Sequence, residues 1–334
     1  MTTNRLLAAS SVAAAALVLS ACGGGGTTTT PAASGSGNSP AAGAAKKITL
    51  MVGVKGDPFY VSMECGAQEA ARAAGATLNV QGPDKFDATL QNPMLDAIAA
   101  AKPDALLVAP NDVTASAQPL KRVQEAGSKI VLVDTVVTDP SIGVSRIASD
   151  NKKGGEAAAQ GLADLGVKGK VLVISTDPGV SSVDARVDGF KEKAAALGLT
   201  LVGDTQYSNN QPAKAAQIIS ATLAKEPDLA GVFATNLFTA QGVATGVKQA
   251  GKSGAVKVVG FDAGPDQIKQ LEAGDVQALV AQKPYDIGKQ GVEQALASLS
   301  GGSVTADIKT EATVVTKANM NDPEVNKYIY KATC

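Results

Sequence analysis

Short apolar runs recur along the chain from residue 47 onward, separated by longer alanine-rich stretches with polar faces. The runs ITLMVGV (48–54), ALLVAP (105–110), KIVLVD (129–134), KVLVIST (170–176), GVFATN (231–236), VKVVGFD (256–262) and VQALVAQ (276–282) are mostly continuous and rich in β-branched residues. That pattern predicts strands buried on both faces, as in a parallel sheet covered by helices. ATLNV (76–80) and LTLVGD (199–204) predict two weaker strands. The stretches between them carry helix start and stop signals. Asp57-Pro58 and Asn92-Pro93 each read as an N-cap followed by proline in the first turn. Gly75, Gly127, Gly198 and Gly251 stand where a glycine ends a helix. Strand, helix and strand at this spacing predict right-handed βαβ units and an α/β fold with doubly wound parallel sheets. The stretch from residue 48 to the end is long for one core, so two lobes of about five strands each are expected.

The predicted strands end on polar side chains. GVKGDPFY after the first run supplies Asp57, Phe59 and Tyr60, and KIVLVD ends at Asp134-Thr135. KVLVIST leads through a Ser- and Gly-containing loop to Arg186. The last three runs end at Asn236, Asp262 and Gln282. In open parallel sheets ligands bind beyond the carboxyl ends of the strands, so these side chains are candidate ligand contacts. Asp and Asn accept from hydroxyls while Asn, Gln and Arg donate to them, and an aromatic ring offers an apolar face. Three acids against one arginine disfavour an anionic ligand and fit a neutral polyol or sugar. Capping is the competing reading for Asp57, Asn236 and Asp262, and a solvated helix face for Arg186.

The amino-terminal region reads differently. Arg5 precedes an apolar run over 6–19, too short to cross a membrane as a mature helix and suited to an export signal. It ends in Leu-Ser-Ala-Cys, which resembles the lipobox of bacterial lipoproteins; Cys22 would then be the lipidated first residue of the mature chain. Residues 1–21 are thus expected to be signal and 22–45 a Gly/Thr/Ser/Ala/Pro tether, with a root-mean-square reach of about 27 Å. Net charge is −1 with no basic cluster, which argues against nucleic acid as a partner. With Cys22 assigned, Cys65 and Cys334 remain as a pair in an exported protein. A disulfide between them is predicted, pinning the tail to the first helix. A free, buried Cys65 is the alternative.

The chain resembles the type I periplasmic sugar-binding proteins, the ribose-binding branch most closely. The resemblance runs over about 48–317 and rests on RIASDNKKGG (146–155), RVDGF (186–190), VFATN (232–236), VVGFDAGPD (258–266) and AQKPYDIG (281–288). It implies ligand contacts at Asp57, Phe59, Tyr60, Asp134, Arg186, Asn236, Asp262 and Gln282. Three positions depart from the ribose-binding pattern. Thr135 stands where that branch has a second arginine, Asp57 replaces an asparagine, and Asn210 replaces an aromatic. The ligand is therefore left open among a pentose, a hexose and an acyclic sugar alcohol. The resemblance also implies two lobes joined by a three-segment hinge, here 46–148 plus 283–311 and 149–282 plus 312–334. Its expected partners are the permease and ATPase of an ABC importer, with the protein acting as a monomer held to the membrane only by its lipid.

Rival functions are weighed on the same residues. The chain has no histidine, no GxGxxG after a strand and no Walker-type loop, so no catalytic set, cofactor or metal is expected. A glycoside-acting enzyme is the residual enzymatic alternative. A sugar-responsive repressor would need a DNA-binding head where this chain has its signal and tether. A sensor presenting ligand to a membrane receptor is not separable from an importer component by sequence.

Overall fold

The computed structural model describes residues 44–334. Cys22, the 1–21 signal and the tether up to residue 43 lie outside the described residues. The chain first lays down β1 (Lys47–Met51), α1 (Pro58–Ala73), β2 (Thr77–Gln81), α2 (Ala88–Ala101), β3 (Ala105–Val108), α3 (Ala117–Glu125), β4 (Lys129–Val133) and β5 (Ser145–Ser149). It then crosses to a second sheet through α4 (Asn151–Asp164), β6 (Lys170–Ser175), α5 (Ser181–Ala196), β7 (Thr200–Leu201) and β8 (Gln206–Tyr207). The same half continues with α6 (Pro212–Lys225), β9 (Gly231–Ala234), α7 (Leu237–Gln249), β10 (Lys257–Phe261), α8 (Pro265–Ala273) and β11 (Ala278–Ala281). The chain returns with α9 (Pro284–Leu299) and β12 (Asp307–Thr310), then crosses a last time to β13 (Thr313–Thr316) and α10 (Pro323–Asn326).

The first sheet has six strands in the order β12-β5-β4-β3-β1-β2, and the second seven, in the order β13-β11-β10-β9-β6-β7 with β8 beside β6. All pairings are parallel except β11 with β13. Each sheet therefore repeats one doubly wound order, with its switch point between β1 and β3 or between β6 and β9. The strand interiors explain the continuous apolar runs. Leu50, Leu107 and Val131 face Met63, Ala67 and Ile287 on one side of the first sheet, and Met51, Leu106 and Leu132 face Leu95, Leu120 and Val123 on the other. In the second sheet, Ile174, Val232 and Val258 meet Ile219 and Val243, while Val173, Phe233 and Val259 meet Ala159 and Phe190.

Two expectations need correction. The sheets hold six and seven strands instead of about five each because β12 and β13 are short, partly exposed strands whose DIKT and TVVT lack a buried-strand pattern, and because the two-residue β8 joins the second sheet. Asn92-Pro93 does not begin a helix. Asp87 caps α2 by accepting from Thr89 N (2.7 Å), and Pro93 sits inside that helix. The tail is pinned to the first helix as expected: α10 packs on the second lobe through Val325, and Lys331 N donates to Ser62 Oγ (2.8 Å) on α1. A Cys65–Cys334 disulfide closes that contact, with Cα atoms 5.3 Å apart.

Candidate functional site

The carboxyl ends of the two sheets face one another, and the side chains that leave them converge. Asp57 caps α1, its Oδ1 accepting from Phe59 N (2.9 Å), as the Asp-Pro signal predicts. Capping and placement at the cavity are thus one arrangement. The cap sets Phe59 and Tyr60 on the first turn, and Tyr60 Oη donates to Asp134 Oδ2 at 2.9 Å. Gly53 makes room for this, since a Cβ there would lie 2.3 Å from the Tyr60 hydroxyl. Asp134 follows β4 in the left-handed region (φ 65°), a conformation aspartate tolerates better than most residues.

On the second sheet, Asp262 follows β10 with φ 76°. Both its oxygens are engaged. Oδ1 accepts from Gln282 Nε2 (2.6 Å) and Tyr330 Oη (2.8 Å), and Oδ2 accepts from Leu237 N (2.9 Å). Gln282 Oε1 in turn accepts from Ser149 Oγ (2.7 Å), whose hydroxyl lies 3.4 Å from that of Thr310. Ser149, Gln282 and Thr310 stand at the three chain crossings, so the crossings share one hydrogen-bonded cluster that reaches Asp262.

Arg186 is 3 % exposed and lies on the inner face of α5, which removes the reading of a solvated helix residue. Nε donates to Asn151 Oδ1 and Nη1 to the Thr235 carbonyl, both at 2.8 Å, and Cζ sits 3.7 Å over the Phe261 ring. Close helix packing puts it there. A Cβ on Gly155 would come within 2.0 Å of the Arg186 carbonyl oxygen, and one on Gly189 within 2.0 Å of that of Lys152. The glycines of the KKGG and RVDGF segments thus let α4 and α5 touch backbone to backbone. Asn236 caps α7 by accepting from Thr239 N (3.2 Å) and donates through Nδ2 to Asn210 Oδ1 (2.6 Å).

Nine of the ten side chains expected at the site surround one cavity of about 40 Å³: Asp57, Phe59, Tyr60, Asp134, Arg186, Asn210, Asn236, Asp262 and Gln282. Thr135 is the exception. The left-handed turn at Asp134 swings the next residue away, and Thr135 Oγ1 donates to the Pro110 carbonyl (2.7 Å) inside its own lobe. Five lining residues carried no ligand-contact expectation: Phe86, Thr176, Val180, Ser182 and Val183. Thr176 had a visible signal, being the polar end of KVLVIST. Phe86 and Tyr330 had none, since their neighbours are remote in sequence.

Burial dominates the electrostatics. It pushes the Asp57 carboxyl up to about 7, helped by the charges of Asp262 and Asp134 and opposed by the Phe59 N–H and Arg186. Burial also lifts Asp134 to about 6, against Arg186 and the Tyr60 hydroxyl. The Tyr60 and Tyr330 hydroxyls are pushed well above the usual tyrosine range, first by burial and then by Asp134 and Asp262 respectively. Both therefore stay protonated and act as donors. Such a site offers carboxylate and amide acceptors to hydroxyl donors, an arginine to a ring or hydroxyl oxygen, and Phe59 and Phe86 as apolar walls.

Contacts also bridge the halves at the rim: Val113 N donates to the Gly179 carbonyl (2.9 Å) and Val136 N to Ser181 Oγ (2.8 Å). The halves are closed on one another. Among the described residues no helix is long and apolar enough to cross a membrane, and no cluster of potential metal ligands is found.

Comparison with known proteins agrees with this architecture. Residues 48–303 match the model of the periplasmic binding protein domain. The ribose import binding protein RbsB of Escherichia coli K12 is 32% identical over 281 residues, covering 83% of this chain and 92% of that protein. An ABC transporter solute-binding protein from Agrobacterium vitis, solved with α-D-tagatopyranose, is 44% identical over 86% of this chain and 99% of its own, with a TM-score of 0.83. A second from the same organism, solved with D-fucose, is 33% identical, covers 85% and 99%, and has a TM-score of 0.81. Two repeated doubly wound sheets, three crossings and a polar cavity between facing strand ends thus coincide with a match over most of the chain, which belongs to the periplasmic binding protein family.

Proposed function

We propose that this protein is the solute-binding component of an ABC importer, capturing a neutral monosaccharide or sugar alcohol between its two lobes and presenting the closed form to a permease and its ATPase. The ligand contacts are Asp57, Phe59, Tyr60, Asp134, Arg186, Asn210, Asn236, Asp262 and Gln282, joined by Thr176. The carrying observation is the convergence of three aspartates and one arginine, all buried, from both sheets onto one cavity. Hydroxyl donors satisfy such carboxylates without adding charge, whereas an anion would add like charge to an acidic site with a single arginine. The cavity is enclosed between halves joined at the rim through Val113–Gly179 and Val136–Ser181, so binding requires the halves to part and close again around the ligand. They part about the crossings at 149–151, 281–284 and 310–313. The protein works as a monomer, held at the outer face of the cytoplasmic membrane by lipid on Cys22 and the tether that follows.

A ketohexose heads the candidates, because the Agrobacterium vitis relative solved with α-D-tagatopyranose shares 44% of its residues with this chain. A thermal-shift screen with D-tagatose, pentoses, other hexoses and sugar alcohols tests the reading. A ligand present at 100 times its Kd adds about 2.7 kcal/mol of stability. A panel with no response at millimolar sugar would sink it.

A further inference from the structure

We propose that the carboxy-terminal segment is a working part of the ligand site. Tyr330 is a positioning residue that sets the Asp262 carboxylate, and the Cys65–Cys334 strap keeps it seated. This rests on the sugar-binding reading above and goes beyond it, since Tyr330 lies past the residues matched to the family, which end at 303.

The geometry carries the argument. Tyr330 is 4 % exposed, and its hydroxyl donates to Asp262 Oδ1 (2.8 Å) while accepting from Gln282 N (3.1 Å). Its own N donates to the Ala263 carbonyl (3.0 Å), one residue past Asp262. Its ring meets Phe59 edge-on, 5.8 Å between centroids, so one side chain touches cavity residues of both halves. Two donors on Oδ1 and a third on Oδ2 fix the plane of the carboxylate before any ligand arrives, and such preorganisation raises affinity by removing a reorganisation cost.

The segment that delivers Tyr330 is fastened on both sides. Met320, Val325 and Tyr328 pack on the core of the second sheet, and beyond Tyr330 the chain is held to α1 by Lys331 N on Ser62 Oγ and by the disulfide. The strap is a fourth link between the halves, additional to the three crossings. Opening the disulfide frees the end of the chain four residues beyond Tyr330, and with it the seat of the hydroxyl.

Isothermal titration of the oxidised protein with D-tagatose, D-ribose, D-arabinose, D-allose and D-fucose tests this. Tyr330→Phe keeps the ring against Phe59 and removes only the hydroxyl. It is expected to weaken binding of the best sugar roughly tenfold, the scale of one hydrogen bond to a charged group. The loss should be uneven across the panel, changing the preference between epimers such as D-ribose and D-arabinose, because it acts through the hydroxyl that Asp262 accepts. Cys334→Ser should weaken binding several-fold, and the double variant should bind no worse than Tyr330→Phe alone. Unchanged affinity in Tyr330→Phe, or an equal loss on every sugar, overturns the inference while leaving the sugar-binding reading intact. If Tyr330→Phe does not fold, unchanged affinity in Cys334→Ser overturns it instead. A wild-type protein that binds none of the panel overturns the underlying reading, and this inference with it.

Discussion

Asp134 and Asp262 occupy the same place in their two sheets. Each directly follows the strand third from the β2 or β7 edge-paired strand, β4 or β10, in the left-handed region, and each donates its N–H to the neighbouring strand, at Ile147 or Val280, at 2.8 Å. Their side chains are held differently. Asp134 accepts one bond on Oδ2, from Tyr60, whereas Asp262 has both oxygens occupied by protein donors. Asn tolerates the left-handed turn as Asp does, so the amide tests the carboxylate alone. Asp134→Asn is expected to leave the melting temperature of the free protein nearly unchanged and to cost at least tenfold in ligand affinity. Asp262→Asn turns an amide N–H toward donors and is expected to lose affinity and about 1–3 kcal/mol of stability. Equal effects on stability in chemical denaturation would contradict this division.

Arg186 stands on a second dependence, the closeness of α4 and α5. Arg186→Lys loses the stack over Phe261 and the two-armed grip on Asn151 and the Thr235 carbonyl, which an ammonium cannot reproduce. Its expected cost is more than tenfold in affinity, with a lowered melting temperature in the free protein as well. Gly155→Ala reaches the same arginine indirectly. Its new methyl lies 2.0 Å from the Arg186 carbonyl, so the helices must separate, at about 1–3 kcal/mol. Full affinity in Gly155→Ala would show that helix spacing does not place the guanidinium.

Legibility in the sequence followed burial. Val131, Val173 and Val259 announced their strands because both faces of a parallel sheet are covered, while Asp307–Thr310 and Thr313–Thr316 went unseen as partly exposed strands. Asp57, Asp134, Arg186 and Asp262 were legible because a doubly wound topology sends strand ends to one edge. Thr135 was named for its place beside Asp134, and adjacency in sequence does not carry through the left-handed turn at Asp134, after which its hydroxyl donates to the Pro110 carbonyl. Tyr330 was invisible because its partner Asp262 is 68 residues away, along a segment with no periodic pattern.

Proton linkage supplies a prediction with a definite sign. The Asp57 carboxyl titrates at about 7 and that of Asp134 at about 6, both above the ordinary 3.8. Between these values the folded state holds more protons than the unfolded one, so the stability these groups contribute is present below about 3.8 and is lost as pH rises through about 6 and about 7. Hydroxyl donors favour the ionised form, so ligand binding expels protons and affinity rises over the same interval. Asp57→Asn keeps an acceptor for Phe59 N while removing the charge, and is expected to flatten the upper part of that rise. Titration calorimetry in buffers of different ionisation heat would reveal the proton release; its absence near neutral pH in the wild type would refute the linkage.

Thr176 separates binding from stability most cleanly. Its hydroxyl is buried at the cavity with no hydrogen-bond partner in the protein, and an unpaired buried hydroxyl is a cost to the free state. Valine has nearly the same shape without that group. Thr176→Val is therefore expected to leave the melting temperature of the free protein unchanged or higher. If a ligand hydroxyl completes the Thr176 hydrogen bond on closure, the same substitution weakens binding roughly two- to tenfold, the scale of one neutral bond. Most core substitutions lower both quantities together, so opposite signs in one variant identify a group retained for its ligand. A drop in melting temperature with affinity intact would instead make Thr176 part of the packing.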